Sequence, residues 1–204
     1  MTYDPVPHGE LAAVVTYLEM RAPPAAAPAP ASPLELRRIH PEPEQYRRLF
    51  RRVGARWLWF SRLVMEDAKL QAILTDPEVE LFAIVNEEDA EAGLLELDFR
   101  RSGECELAFV GLAPELAGQG HGRWLLGEAV RRAWRPEVAR VHVHTCSLDH
   151  PAALAAYLRA GFTPSKRAVE RFADPRLLGV LPPDCAPQVP LLGTDASAPE
   201  PPAS

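Results

Sequence analysis

The stretch AGQGHGRWLL at 117–126 constrains this chain more than any other. Glycines stand at 118, 120 and 122, and an apolar helical pattern begins directly after them. Each glycine adds to the entropy lost when the chain is ordered. Their concentration at a helix start therefore points to close approach of the backbone to a ligand. The first turn of a helix carries N–H groups with no partner inside the helix, and the macrodipole adds partial positive charge there. Together these form an anion site, most often for phosphate. Two nucleotide loops do not fit. A Walker loop requires Lys-Ser/Thr after its glycines, and none follows here. A dinucleotide fingerprint requires G-x-G-x-x-G, and its last glycine would fall on Arg123 or Leu125. What remains is backbone binding of another phosphorylated ligand, or a glycine-rich turn that binds nothing.

Periodicity on either side places the stretch between a strand and a helix. VVTYLEM (14–20) predicts a short strand and LELRRIH (34–40) a second one. Pro41 and Pro43 lead into EQYRRLFRRVG, a helix that Gly54 can end. ARWLWFSRLVMEDAKLQAILTD (55–76) carries apolar residues at helical spacing and predicts a second helix. VELFAIV (79–85) reads as a buried strand. It forms a hairpin with LLELDFR (94–100), and ECELAFVGL (104–112) follows after a turn. Beyond the glycines, Leu125, Leu126, Ala129, Val130 and Ala133 mark one helical face. VARVHVHT (138–145) is rich in β-branched residues and predicts a strand. Pro151 and Gly161 bracket another helix, and RAVERF (167–172) completes the pattern as a last strand. The expectation is an α+β fold. Its central sheet is mixed but mostly antiparallel, with helices on both faces and one βαβ crossover.

With 204 residues, the chain suggests one domain with tails. The expected partition is an N-terminal strand and Pro/Ala-rich linker at 1–33, a domain at 34–181, and a Pro-rich disordered tail at 182–204. A net charge of −6 argues against a nucleic-acid partner. No apolar run approaches the ~18 residues of a membrane span. The N-terminal MTYDPVPHGE lacks a signal-peptide pattern. Cys105, Cys146 and Cys185 are odd in number and far apart, which suggests neither a disulfide frame nor a zinc site. These features point to the reducing cytoplasm, without nucleic-acid or membrane partners and without a metal.

Two motifs in order carry a family resemblance. The first is L-A-P-E-L-A-G-Q-G-H-G-R, after a strand and opening a helix. The second is H-P-A-A-L-A-A-Y-L-R-A-G-F, one strand later. Over roughly 34–172 the chain resembles the GNAT superfamily of acyl-CoA-dependent N-acyltransferases. It departs from the family pattern at Ala117, where Arg or Gln is usual, and at His150, where Asn is frequent. The resemblance implies that backbone groups of Val110, Gly111 and Leu112 pair with the pantetheine arm of acetyl-CoA. It implies that the amides of Gly118, Gln119, Gly120, His121, Gly122 and Arg123 hold the pyrophosphate. His150 would contact the cofactor arm in place of the asparagine. The thioester would lie where the strands at 104–112 and 138–145 splay apart, and an amine would attack it directly.

Such an attack requires that an ammonium lose a proton and a thiolate gain one. Tyr157 matches the family tyrosine and is the expected acid; helical spacing places it over the small Ala153. The alternative is a core tyrosine bonded to a backbone carbonyl. For the base, Glu104 and Glu106 share one strand face and Glu96 lies on the neighbouring strand; Glu106 is favoured. His142, His144 and Cys146 also share a face. They read as polar lining rather than as a metal site or a Cys–His nucleophile. Arg56, Trp57 and Trp59 either shape the acceptor site or, for at least one tryptophan, pack into the core.

The expected function is transfer of an acetyl group from acetyl-CoA to an amine of a small molecule or peptide, by a monomer or homodimer. A non-catalytic acyl-CoA sensor on the same fold is the alternative. A nucleotide-binding enzyme is disfavoured by the missing Lys-Ser/Thr.

Overall fold

The computed structural model describes residues 3–25 and 30–193. The sheet that organises it contains β1 (Glu10–Met20), β2 (Glu35–Arg38), β3 (Val79–Val85), β4 (Glu91–Asp98), β5 (Glu104–Leu112), β6 (Arg140–Cys146) and β7 (Thr163–Ala173). Their spatial order is β2-β3-β4-β5-β6-β1-β7. Among the described strands, β5 and β6 form the only parallel pair; the other neighbours run antiparallel. The crossover between them carries α3 (His121–Ala133). The expected α+β architecture with one βαβ unit is therefore the observed one.

Helices cover the sheet unequally. On one face α3 and α4 (Ala153–Arg159) close a core of Leu18, Ile84, Leu95, Leu107, Val141 and Phe162. Leu125, Leu126, Ala129, Val130 and Ala133 of α3 are all buried there, as their spacing predicts. On the other face α1 (Pro43–Gly54) and α2 (Asp67–Leu74) cover only the β3–β4 half, over Leu81, Ala83 and Leu94. Covered on both faces, β3 is apolar and buried from Leu81 to Val85. α1 starts with Pro43 in its first turn, and the Glu42 N–H donates to the side chain of Gln45 at 3.0 Å.

Three expectations need correction. The strand read at 14–20 extends from Glu10 to Met20, lies inside the sheet between β6 and β7, and is not separated from the body by a boundary at 33. The single helix expected at 55–76 is broken. Residues Ala55–Trp57 form a 3₁₀ turn, Leu58 takes a left-handed φ of 57°, and the helix resumes only at Asp67. The reason is that WLWF serves three neighbours, which no one helical face can do. Leu58 is buried beside Leu181 and Ala186, Trp59 packs on Phe50 and Phe109, and Phe60 lies against Phe172.

The third correction concerns the segment after 181, expected as an unpacked tail. Residues 182–193 are packed in part; 194–204 lie outside the described residues. Ala186 is buried. The buried Arg176 pairs with Asp174 at 2.6 Å and also donates to the carbonyls of Ala186, Val189 and Pro190, at 3.3, 2.8 and 3.4 Å. Composition suggested disorder because the segment is proline-rich, but a guanidinium needs carbonyl acceptors rather than apolar bulk. A chain ending at Leu181 should therefore lose about 1–3 kcal/mol of stability through the unsatisfied Arg176 donors. Thermal unfolding of the truncated protein measures this, and an unchanged melting temperature would show the segment to be dispensable.

Candidate functional site

β5 and β6 pair through only Glu104–Arg140, Cys105–Val141 and Glu106–His142. Beyond them the strands part, while β5 stays paired to β4 as far as Leu112. A cleft of about 1580 Å³ passes through the gap. Val110, Gly111 and Leu112 line it. The backbone edge of these residues on the β6 side thus has no partner strand. Val110 and Leu112 pack toward the α3 side, and Gly111 faces the opposite way, against Val53 and Trp59. A Cβ on Gly111 would stand 2.8 Å from Val53 Cγ1, so that close packing depends on glycine.

At the end of β5 a 3₁₀ turn at Pro114–Leu116 leads into the glycine loop. Gly118 and Gly120 hold φ of 79° and 84°, which L side chains rarely adopt. Gly122 is an ordinary helical residue of α3. A Cβ on any of the three would meet nothing within 4 Å, so the loop faces open space. The N–H groups of Gly118, Gln119, Gly120, His121 and Gly122 have no acceptor among the described residues. The N–H of Arg123 does: it donates to the Gly120 carbonyl at 3.2 Å. The expected amide cluster is therefore shorter by Arg123, whose exposed side chain still lines the cleft. Two side chains brace the loop. Gln119 Nε2 donates to the Glu115 carbonyl at 2.9 Å, and His121 Nδ1 lies 3.1 Å from Ser32 Oγ.

Tyr157 lies on α4, on the far side of the gap, with its ring edge-on to Phe162 at 5.7 Å. It lines the cleft, and its hydroxyl makes no hydrogen bond among the described residues. Burial, with a smaller contribution from the Asp149 charge, pushes the phenol pKa well up, so the proton stays on oxygen.

The carboxylates separate into three situations. Glu96 is fully buried, accepts from the Tyr46 hydroxyl, and pairs with Arg62 Nη2 at 2.6 Å. Each of its two oxygens is thus engaged inside the protein. Burial and the Glu96 charge hold the Tyr46 phenol far above its usual range. Glu104 is engaged by Arg140 at 3.1 Å and lies 3.5 Å from His142 Nε2. Glu106 lines the cleft with His144 Nδ1 at 3.5 Å, and it stands opposite Asp98 of β4 and His142 of β6 in the sheet. The His144 contact lowers the Glu106 pKa against the opposing effect of burial.

His142, His144 and Cys146 do share a face of β6, opposite the buried Val141 and Val143. Burial pushes the Cys146 thiol up to about 11, which keeps it out of its nucleophilic thiolate form. His150 caps the turn into α4, its Nδ1 accepting from the Ala152 N–H at 3.1 Å, and its ring stands edge-on to Trp57 at 5.0 Å. Arg56, Trp57 and Trp59 belong to the 3₁₀ turn and the residues after it. Trp59 enters the core, as expected for one of the tryptophans, while also lining the cleft. Sequence reasoning missed Asp149, which accepts from Thr145 Oγ1, the Cys146 N–H and Trp59 Nε1 at 2.7, 2.9 and 3.0 Å. An acidic residue two positions before Pro151 at a helix entrance was its only local signal. Arg62 was missed too. It stacks over Phe109 at 5.1 Å, and its pairing with Glu96 spans elements that no local pattern connects.

The same fold recurs in solved structures. An N-acetyltransferase of the GCN5-related type from Sphaerobacter thermophilus is 22% identical with a TM-score of 0.57, over 81% of this chain and 53% of that one. This chain thus spans about half of that protein's length. An aminoglycoside acetyltransferase from an uncultured soil metagenomic sample is 17% identical with a TM-score of 0.53, over 68% of this chain and 93% of that one. Spermidine N-acetyltransferase from Vibrio cholerae, in complex with CoA and spermine, is 19% identical with a TM-score of 0.54, over 69% and 94%. At these identities the likeness is one of fold. No curated protein matches the sequence. The model of the acetyltransferase (GNAT) family, however, matches residues 36–162, more than half of the chain and the whole path from β2 to the end of the Tyr157 motif. The matched region contains the parted strands, the amide-rich loop and the tyrosine helix, and this chain belongs to the GNAT acetyltransferase family.

Proposed function

We propose that the protein is an acetyl-CoA-dependent N-acetyltransferase that acts on an amine of a small molecule or peptide. The observation that carries this reading is the gap between β5 and β6. It joins an amide-lined anion site to a protonated tyrosine and an ionised carboxylate in one cleft. The site suits the cofactor on its own terms. The amides of Gly118 to Gly122, without acceptors among the described residues, stand at the positive end of α3 and suit phosphate oxygens. The open edge of Val110–Leu112 suits an arm that carries amide groups, which it can bind as a strand is bound.

Bound acetyl-CoA would supply an activated acetyl thioester. The residues of this chain do the rest. Tyr157 holds a proton at its hydroxyl, inside the cleft, for the departing sulfur. Glu106 supplies negative charge on the opposite side of the gap, where the ammonium proton must go. Trp57, Trp59 and Phe60 line the same side and exclude water from the acceptor's path. His150 keeps Nε2 available for the cofactor arm, since only its Nδ1 is engaged. The three cysteines are free thiols, consistent with a reducing compartment. Among the described residues no helix is long and apolar enough to cross a membrane.

Thiol release from acetyl-CoA against a panel of amines tests the activity. The panel includes polyamines and aminoglycosides, because two of the similar structures are enzymes for those substrates. With an acceptor in hand, Tyr157→Phe should lower kcat about 10²-fold, the low end of general-acid effects. Acetyl-CoA affinity should hardly change, because the hydroxyl contributes mainly as the thioester breaks. A folded variant turning over at the wild-type rate would make Tyr157 a packing residue. Gly120→Val forces a branched side chain into a φ of 84°. It should weaken acetyl-CoA by more than about tenfold, or ~1.4 kcal/mol; calorimetry showing unchanged affinity in a folded variant would remove the loop from the binding site.

A further inference from the structure

One side chain in the cleft has a reactive form and no assigned task. His144 sits on β6 beside the last paired position of β5, on the sheet face that α1 and α2 leave uncovered. Its side chain is 49% exposed and lines the cleft. Nδ1 lies 3.5 Å from Glu106 Oε1 across the seam, and Nε2 has no partner among the described residues. The ring leans on Tyr17 of β1 at a centroid distance of 5.7 Å, which limits its rotation. By strand alternation it points away from the face that carries Tyr157. The two side chains therefore address the gap from opposite faces of the sheet.

We propose that His144 takes the proton of the acceptor amine and that Glu106 is its positioning residue, holding Nδ1 so that Nε2 meets the amine. This rests on the acyltransferase reading and assigns the proton acceptor within it. In the step, an N–H bond of the acceptor ammonium breaks and an N–H bond forms at Nε2. The lone pair is freed on the amine, and the imidazolium returns its proton to solvent through the exposed side.

The surroundings favour the imidazole over the carboxylate as the base. Glu106 is held below the ordinary carboxylate range, which makes it a poor acceptor for a proton from an alkylammonium. His144 is raised above the ordinary histidine value, chiefly by Glu106 and against burial, with Asp149 and Glu170 adding in the same direction. The charged and titratable groups around it are Glu106 from β5, Tyr17 from β1, Glu170 from β7, and Asp149 from the turn before α4. Lys166 of β7 lies over Tyr17 at 5.3 Å, and His142 and Cys146 flank His144 on its own strand. A base with its pKa near the working pH combines availability with driving force, and a raised histidine meets that condition better than a depressed glutamate.

The sign of the pH dependence follows. Because Glu106 stabilises the imidazolium, the basic form exists only above a raised pKa, and kcat/KM falls as the pH drops through it. His144→Gln should lower kcat/KM by about 10²-fold or more and abolish that acidic limb. Glu106→Gln should keep the limb and move it to lower pH. Acetyl-CoA affinity and melting temperature should hold in both, since neither side chain belongs to the amide loop or the core. A readout independent of turnover is the NMR titration of the imidazoles in the free protein. The resonance lost in His144→Gln should titrate above ordinary histidine in the wild type and drop in Glu106→Gln. An active wild type whose His144→Gln variant keeps both rate and limb overturns the assignment alone. A His144 titration that Glu106→Gln leaves unmoved overturns the positioning role of Glu106. A wild type that releases no thiol with any amine overturns the acyltransferase reading, and this assignment with it.

Discussion

The site depends on a sheet interaction that stops early. Three paired positions hold β5 and β6 together, and the remaining backbone groups of β5 on that side are left without a strand. Unpaired backbone polar groups inside a protein are costly unless something satisfies them. The seam therefore calls for a partner in two ways. The strand edge can accept another extended chain, and the loop at its end presents amides at a helix start. The parting also creates the only kind of place where side chains from opposite sheet faces can converge on one reacting bond. Tyr157 from the α4 side and Glu106 with His144 from the other line the cleft there.

Stability of that opening is supplied nearby. Glu96, Tyr46 and Arg62 form a buried hydrogen-bonded group under α1, with Arg62 stacked on Phe109 of β5. A buried ion pair is weak support for net stability, but breaking it is expensive because the remaining charge is stranded. Its effect is to fix the β4–β5 edge of the gap in one position. A bulge between Glu96 and Leu97 lies at the same level, which bends β5 where it leaves β6.

Much of this was legible in the sequence because it is local. The glycines at 118 and 120 announce their own φ, and the α3 face shows in its spacing. Alternation alone places His142, His144 and Cys146 together. What escaped the sequence is long-range. Apolar content at 55–60 looked helical because period and burial agree in the usual helix, but here three separate neighbours claim Leu58, Trp59 and Phe60. Glu96 could not be told from Glu106 by strand pattern, since both point to the same side of the sheet. The presence of Tyr46 and Arg62 decides which carboxylate is consumed. The segment after 181 was misread because composition registers apolar content and not the carbonyls that a buried guanidinium can recruit.

That guanidinium has a reach beyond its own neighbourhood. The 175–190 segment touches the cleft wall twice, through Gln188 Nε2 on the Arg56 carbonyl at 2.6 Å and through Leu181 and Ala186 against Leu58. It thereby anchors the turn that presents Trp57 and Trp59. All of it lies beyond residue 162, where the match to the family ends, whereas the amide loop and the tyrosine helix lie within it. The cleft is thus assembled from two provinces of the chain: a chassis inside the family match that holds one side, and a clasp beyond residue 162 that sets the posture of the other. Redesigning the clasp would retune the aromatic wall while leaving the chassis as it stands.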